Sequence, residues 1–325
     1  MTTATRATRH RLSADGVPVG QAWTGRHLLD VDQLTPPEIA ACLELAVEMR
    51  ERRERRERLQ TLAGETIGLA FYEASTRTRV SFELAAGALG ATVVDLRPDA
   101  SSATKGESLL DTLRTLERTG VTTVVLRHRA AGAPYLAARG TGLRIVNGGD
   151  GAHAHPTQAL LDALTLRDAL GELPGRKIAI VGDIGHSRVA RSNIHLLGAL
   201  GMRVRLAGPA AWVRDFERWP GVEVLRTLDE ALRDADAVMA LRVQLERGAG
   251  GGIPTLGEYR RRWGLNEERM RLARLDAPLL HPGPTNEGVE LTAALAGAPR
   301  SLIGRQVTNG VAVRMAVLSL LSGAT

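Results

Sequence analysis

Short apolar runs alternate with longer stretches of helical periodicity along most of this 325-residue sequence. The predicted strands are 66–72, 91–96, 121–126, 143–147, 177–181, 203–207, 222–225 and 237–241. The helices predicted between them are 77–89, 107–119, 133–139, 188–200, 210–217 and 228–233. Strands that alternate with helices build parallel sheets, because each crossover helix returns the chain to the same edge of the sheet. We therefore predict an α/β protein with two domains, each a parallel sheet flanked by helices.

Further helical patterns lie outside this alternation, at 35–60, 155–169 and 307–321. The first begins with a capping box, in which the side chains of Thr35 and Glu38 each accept a hydrogen bond from the other's backbone. The second connects the two halves of the chain, and the third is apolar and must pack on one of them. We predict one domain from 1–155 together with 306–325, and a second domain from 156–305.

The composition excludes several classes of protein. No apolar run approaches the roughly 18 residues of a membrane-spanning helix, and residues 1–21 lack the apolar stretch of a secretory signal. The single cysteine, Cys42, excludes a disulfide framework and is predicted to be a core side chain. The net charge of +6 is scattered, and its densest run, 51–57, mixes both signs. We expect a cytoplasmic protein with a frayed N-terminal segment and with no membrane or nucleic-acid partner.

The segment Ser75–Arg79 follows a predicted buried strand and begins a helix. The start of a helix presents free backbone N–H groups and the positive end of the helix dipole. Hydroxyl and guanidinium groups at that position favour an anion site, and phosphate in particular. The alternative is a capped helix with two surface arginines.

Lysine is rare in this chain, because only Lys105 and Lys177 occur among the 42 basic residues. Lys105 lies in a loop of small residues, 101–106, from which it could reach a ligand as a point charge. A solvated loop lysine is the simpler interpretation of that sequence alone. The rarity of lysine here favours a functional role.

Polar side chains also follow the strand at 121–126 and begin the connecting helix. Arg127 comes directly after the strand, and the helix starts with His155 and Gln158. A histidine can donate a hydrogen bond to a carbonyl oxygen, and a glutamine can contact an amide. A metal site at His153 and His155 is disfavoured, because no third ligand has suitable spacing.

The second half lacks the G-x-G-x-x-G spacing of a dinucleotide site after its first strand. Arg188 begins the next helix instead, and Arg242 and Gln244 follow a later strand. Two guanidinium groups at strand ends of one sheet favour a site for a dicarboxylate, although either could be a surface group. The turn 281–284 has two prolines around a glycine, which hold its carbonyl oxygens in place.

Together and in this order, these motifs resemble the aspartate and ornithine carbamoyltransferase family over about 28–321. Ser75–Arg79 resembles the carbamoyl phosphate signature of both branches, and His155–Gln158 resembles its second element. The aspartate branch is favoured by Lys105–Glu107, Arg242–Gln244 and the turn 281–284. The His-Cys-Leu-Pro and Ser-Met-Gly motifs of the ornithine branch do not occur.

The resemblance implies a reaction and a role for each matching residue. The reaction is carbamoyl transfer from carbamoyl phosphate to the α-amine of L-aspartate, in de novo pyrimidine (UMP) synthesis, without metal, cofactor or covalent enzyme intermediate. Carbamoyl phosphate would contact Ser75, Thr76, Arg77, Thr78, Arg127, His155, Gln158, Pro282 and Gly283. Aspartate would contact Lys105, Arg188, Arg242 and Gln244. The catalytic groups among them would be Thr78, Lys105, Arg127 and His155.

Ser101 and Lys105 resemble a loop that a neighbouring subunit inserts into the active site, which implies a homotrimer with shared sites. The resemblance leaves open whether a dihydroorotase or a regulatory chain joins a larger assembly. The sequence disfavours three other functions. Ornithine as the amine is disfavoured, because Arg242 and Lys105 would repel its ammonium group. The missing fingerprint disfavours a nucleotide-binding oxidoreductase, and the filled polar positions disfavour a non-catalytic relative.

Overall fold

A computed structural model describes Trp23 and residues 27–96, 106–244 and 255–323. The strands are β1 (Thr66–Phe71), β2 (Thr92–Leu96), β3 (Thr123–His128), β4 (Arg144–Asp150), β5 (Lys177–Val181), β6 (Arg203–Ala207), β7 (Val222–Leu225), β8 (Ala237–Ala240) and β9 (Leu279–Leu280). The helices of the first half are α1 (Pro36–Glu54), α2 (Thr76–Ala88), α3 (Leu109–Arg118), α4 (Ala133–Gly140) and α5 (Pro156–Leu170). Those of the second half are α6 (Arg188–Ala199), α7 (Ala210–Val213), α8 (Leu228–Leu232), α9 (Leu256–Trp263), α10 (Glu267–Met270), α11 (Ala293–Ala296) and α12 (Ile303–Ser322).

The strands form two parallel sheets, with the orders β2-β1-β3-β4 and β7-β6-β5-β8-β9. In each sheet the strand order reverses once, between β1 and β3 in the first and between β5 and β8 in the second. At such a point the connections leave towards opposite faces, which opens a crevice at the carboxyl ends of the strands. The predicted α/β class with two helix-flanked parallel sheets is confirmed.

Burial explains why the central strands are continuous apolar runs. All of β8 is buried, as are β1 and β5 after their first residues, whereas β2 at the edge of the first sheet is partly exposed. A strand in a parallel sheet that is covered by helices on both faces has no solvent side. An edge strand such as β2 has a solvent-facing side, and its sequence accordingly combines apolar and polar residues.

Two long helices, α5 and α12, pack against each other. α5 is buried from Pro156 to Leu166, and its side chains share one apolar cluster with β1 and β5. α12 packs on α1, α2 and α5. Cys42 lies in the same cluster, where burial raises the pKa of its thiol to about 12, so its prediction as a core side chain is confirmed. The domain boundaries stay a prediction.

The first helix and the third strand differ from their predicted ends. The capping box of Thr35 and Glu38 is present, but α1 stops at Glu54, and Arg56 takes a left-handed φ of 55°. The charge run that follows offers no apolar side chain to bury, so packing cannot extend the helix. β3 runs on to His128, which makes Arg127 part of the strand rather than of the loop after it.

The region after β8 contains elements that the periodicity did not predict, namely α9, α10, α11 and β9. They are too short to show a clear period. The helix predicted at 210–217 is also divided, into α7 and a 3₁₀ turn at Arg214–Phe216.

No helix in the described ranges is both long and apolar enough to cross a membrane. Within the same ranges, no group of three or more His, Cys, Asp or Glu side chains is arranged to hold a metal ion.

Candidate active site

A cavity of about 610 Å³ lies at the carboxyl ends of both sheets, where the strand order reverses. Segments that follow β1, β5 and β8 line it, together with Arg127 of β3 and the start of α5. It is lined by every predicted site residue within the described ranges: Ser75, Thr76, Arg77, Thr78, Arg127, His155, Gln158, Arg188, Arg242, Gln244, Pro282 and Gly283. The predicted site residues Ser101 and Lys105 lie outside the described residues.

The N-terminus of α2 forms one end of the cavity. Ser75 is the N-cap, yet its side chain makes no capping hydrogen bond, so its hydroxyl is not committed to the helix. The Thr78 hydroxyl oxygen is buried and lies 3.5 Å from Nε2 of His155. This end therefore combines hydroxyl groups with the free backbone N–H groups and the positive dipole of a 13-residue helix.

Only one of the two arginines in this motif faces the cavity. Arg77 lines the cavity and lies against Gly283 of the turn 281–284. The contact is so close that a Cβ atom added to Gly283 would lie 2.7 Å from the guanidinium carbon of Arg77. Arg79 instead makes a 2.6 Å ion pair with Asp95 of β2. Two helical positions correspond to about 200° of rotation, so the two side chains leave opposite sides of α2. The expectation that both guanidinium groups surround the anion site is therefore wrong for Arg79.

Arg127 and Arg188 converge on one carboxylate, that of Glu73. Nη1 of Arg188 lies 2.8 Å from Oε2 of Glu73 and 3.0 Å from the Gly151 carbonyl oxygen. Nε of Arg127 lies 3.5 Å from the same Glu73 oxygen. Glu73 was not among the predicted site residues, although an acid two residues after β1 and just before the predicted anion-binding motif Ser75–Arg79 was a signal. It holds arginines of the two halves in one cluster.

His155 is the N-cap of α5, and its backbone N–H donates a hydrogen bond to Oγ of Ser192 on α6, at 2.9 Å. Burial lowers its pKa well below the ordinary value, and the positive charges of Arg127, Arg188 and Arg314 lower it further. The imidazole is therefore neutral at pH 7. A neutral imidazole can donate one hydrogen bond without acting as a charged acid.

The far end of the cavity contains Arg242 and Gln244, which follow β8. Nε of Arg242 lies 3.5 Å from Oδ1 of Asn286. The backbone N–H of Gln244 donates to Asp183 at 3.0 Å, which ties the segments after β8 and β5 together. Asp183 and Asn286 were not predicted, because their role depends on contacts between distant segments.

Arg314 of α12 also lines the cavity and was missed by sequence analysis. Its side chain is buried, with the guanidinium carbon 5.1 Å from the centre of the Phe82 ring. Burial lowers its pKa to about 10, which still leaves it charged at neutral pH. The sequence signal was the one charged residue within the predicted helical segment 307–321.

The charges that line the cavity are strongly unbalanced. Among the described lining residues Glu73 is the only acid, whereas five are arginines: Arg77, Arg127, Arg188, Arg242 and Arg314. Positive groups fixed in a partly closed cavity attract anionic ligands and stabilise negative charge that develops during a reaction. The site is therefore suited to small anions, with a phosphate-type site at α2 and guanidinium groups at the other end.

Sequence models of the aspartate/ornithine carbamoyltransferase carbamoyl-phosphate-binding domain and Asp/Orn-binding domain match residues 26–168 and 174–321, respectively. The aspartate carbamoyltransferase catalytic subunit of Caldanaerobacter subterraneus subsp. tengcongensis is 50% identical, over 91% of this chain and 97% of that protein. The Thermus aquaticus catalytic subunit is 52% identical, over 90% and 97%. A crystal structure of Trypanosoma cruzi aspartate transcarbamoylase with N-(phosphonacetyl)-L-aspartic acid matches with a TM-score of 0.82 and 32% identity, over 91% of this chain and 95% of that one. This chain belongs to the aspartate/ornithine carbamoyltransferase family.

Proposed function

We propose that this chain is an aspartate carbamoyltransferase, which transfers the carbamoyl group of carbamoyl phosphate to the α-amine of L-aspartate. The products are N-carbamoyl-L-aspartate and phosphate, and the pathway is de novo pyrimidine (UMP) synthesis. The observation that carries the proposal is that arginines from both halves of the chain converge in one cavity beside the N-terminus of α2. Relatives about 50% identical to this chain are named aspartate carbamoyltransferase catalytic subunits.

The phosphate group of the substrate is assigned to the N-terminus of α2. Its ligands would be the hydroxyl and backbone groups of Ser75, Thr76 and Thr78, together with the guanidinium of Arg77. The Ser75 hydroxyl makes no capping hydrogen bond, and the first backbone N–H groups of the helix are free. Both observations support this assignment. A dianion here would also meet the positive end of the helix dipole.

The carbonyl oxygen of the carbamoyl group is assigned to Thr78, Arg127 and His155. When the amine attacks the carbonyl carbon, negative charge develops on this oxygen, and donors already in place lower the barrier. The neutral state of His155 suits it to donate a hydrogen bond. As the new C–N bond forms, the C–O bond to phosphate breaks and phosphate leaves with the bonding electrons. The leaving phosphate accepts the amine proton.

The carbamoyl NH₂ group needs hydrogen-bond acceptors. We assign these to the Gln158 side chain and to the backbone carbonyl oxygens of Pro282 and Gly283. Both elements line the same cavity. An acceptor set of this kind distinguishes an amide nitrogen from a methyl group, because a methyl group would leave the acceptors unpaired.

The two carboxylates of aspartate are assigned to Arg188, Arg242 and Gln244. Guanidinium groups bind carboxylates through paired hydrogen bonds, and they would repel the side-chain ammonium group of ornithine. The absence of an acid other than Glu73 among the described lining residues supports aspartate as the amine.

A homotrimer with shared active sites completes the proposal, with Ser101 and Lys105 reaching the cavity of a neighbouring subunit. Only two lysines occur in the chain. Lys177 is the first residue of β5, whereas the cavity lies at the carboxyl ends of the strands. Lys105 is therefore the lysine available to a site. We also propose a cytoplasmic location, which suits the single buried thiol of Cys42.

Reassociation of two inactive variants tests the shared site. Lys105→Ala and Arg77→Ala chains, each inactive alone, are dissociated, mixed and reassociated. Random mixing places a native loop beside a native cavity in about a quarter of the sites, so about a quarter of wild-type activity should return. A mixture that stays inactive, although light scattering shows trimers, would contradict sharing.

Steady-state assays test the reaction itself. The purified chain should carbamoylate L-aspartate and not L-ornithine. Arg77→Ala should lower kcat by about 10² to 10³, the usual cost of removing one group that stabilises the transition state. Arg79→Ala is the matched control on the same helix, and kcat should stay within about twofold because its partly exposed ion pair with Asp95 lies away from the cavity. Carbamoylation of ornithine alone would overturn the proposed function.

A further inference from the structure

A fully buried carboxylate lies beneath the cavity, on α5 one turn after Gln158. Asp162 has no exposed surface. Its Oδ1 atom accepts hydrogen bonds from Nε2 of Gln158 at 2.9 Å and from Nε2 of Gln306 at 2.7 Å. Its Oδ2 atom accepts one from Nδ2 of Asn193 at 2.8 Å. Asp162 thus joins three helices, α5, α6 and α12.

The contact with Asp162 determines which way the Gln158 amide points. An ionised carboxylate can only accept hydrogen bonds, so Gln158 must direct its NH₂ group towards Asp162. Its carbonyl oxygen is then the atom left for the cavity. A ligand NH₂ group needs an acceptor of this kind. Without Asp162, the Gln158 amide could rotate and would present its NH₂ group to the cavity as readily as its carbonyl oxygen.

Asp162 orients Gln306 in the same way, and Gln306 in turn contacts the turn 281–284. Because Nε2 of Gln306 is directed to Asp162, its Oε1 accepts a hydrogen bond from the backbone N–H of His281 at 2.9 Å. This contact holds the start of the turn that carries the carbonyl oxygens of Pro282 and Gly283. One carboxylate therefore orients acceptors on two separate elements of the cavity wall.

We propose that Asp162 is a positioning residue that directs the acceptors of Gln158 and of the turn 281–284 towards the carbamoyl NH₂ group. It thereby sets the preference for carbamoyl phosphate over an acyl phosphate with a methyl group in that place. The inference rests on the proposed function and adds the origin of its specificity.

A competing role for Asp162 is purely electrostatic, as the counter-charge of a buried cation. Burial raises the pKa of Asp162 to about 6, and its amide donors and Arg314 oppose that rise. Arg314 and Asp162 influence each other's ionisation, yet no ion pair joins them in the described structure. A test must therefore separate loss of the acceptor from loss of the charge.

The variants Asp162→Asn and Asp162→Ala make this separation. Asparagine keeps one oxygen that can serve both glutamines at the Oδ1 position. Its NH₂ group would face Nδ2 of Asn193, so the Asn193 amide must turn to present Oδ1, which has no hydrogen-bond partner among the described residues. The turn gives up the 3.0 Å hydrogen bond from Nδ2 to the Val189 carbonyl oxygen. Alanine removes the acceptor as well as the charge.

The measurement is the dissociation constant of the full-length assembled protein for carbamoyl phosphate, acetyl phosphate and inorganic phosphate, by calorimetry. Asp162→Ala should weaken carbamoyl phosphate binding about tenfold or more while the other two constants change less than about threefold. Asp162→Asn should stay within about threefold for all three. Asn309→Ala is the matched control, because Asn309 also ties α12 to α5, through Thr165 at 3.0 Å, without lining the cavity. It should leave all three constants unchanged.

A second variant covers the case in which Asp162→Ala does not fold. Gln306→Leu keeps the charge of Asp162 but releases the turn, and it should also weaken carbamoyl phosphate selectively, by a few-fold. Equal losses for all three ligands, an Asp162→Asn variant as weak as Asp162→Ala, or unchanged binding in Asp162→Ala would each overturn the inference. A wild type that does not prefer carbamoyl over acetyl phosphate would overturn the proposed function as well.

Discussion

Replacement of His155 tests the proposed chemistry most specifically, because this side chain is buried, neutral and close to the reacting carbonyl group. Glutamine can place an amide NH₂ near the position of Nε2, whereas alanine leaves no donor. Neither change disturbs the start of α5, since the His155 side chain makes no capping hydrogen bond. His155→Ala should therefore lower kcat by about 10² to 10³, and His155→Gln should lower it less.

The same variants have a predictable effect on stability. The pKa of His155 is lowered in the folded protein, whereas the unfolded chain binds a proton near pH 6.5. Between the two pKa values the unfolded state holds more protons, so folding stability falls as the pH falls below 6.5. From pH 7.5 to 5.5 the loss attributable to this group is about 1.4 kcal/mol.

Urea denaturation of wild type and His155→Gln at both pH values measures this effect. The variant should lose about 1.4 kcal/mol less than wild type over that range, and the comparison cancels the contribution of Asp162. A titration of the His155 ring by NMR should show no midpoint between pH 6 and 8. An ordinary midpoint near 6.5, or a His155→Ala variant with wild-type kcat, would refute the assignment of a neutral donor.

Two further substitutions test other parts of the account. Arg188→Lys should raise KM for aspartate about 10- to 100-fold with little change in KM for carbamoyl phosphate, because a lysine cannot reproduce paired guanidinium contacts; equal changes in both KM values would contradict that assignment. Gly208→Ala should lower the free energy of unfolding by about 1–3 kcal/mol in urea titrations, since its Cβ would collide with the backbone carbonyl oxygen of Gly182. Unchanged stability would mean that this contact is not present.

Much of the fold followed from periodicity, because the segments concerned are long and their burial is uniform. β5, β6 and β7 have the predicted ends. The capping box of α1 was visible because its two partners are three residues apart. The short helices α10 and α11 were not visible, since four residues make barely one turn.

The parts of the site that could be predicted are the motifs at strand ends and helix starts. A parallel sheet brings such positions to one edge, wherever they lie in the sequence. Gln306 and Asp162 could not be selected in this way, because their contact joins residues 144 positions apart on two helices. A buried polar residue in an apolar helix indicates that a partner exists, but only the packing of α5 against α12 identifies it.

A crystal structure of this chain with N-(phosphonacetyl)-L-aspartate would show whether one cavity holds both anionic substrates. We expect the phosphonate at the N-terminus of α2, within hydrogen-bond distance of Thr76 and Arg77, and the carboxylates at Arg188 and Arg242. A ligand bound elsewhere, or one whose carboxylates contact neither arginine, would contradict this expectation.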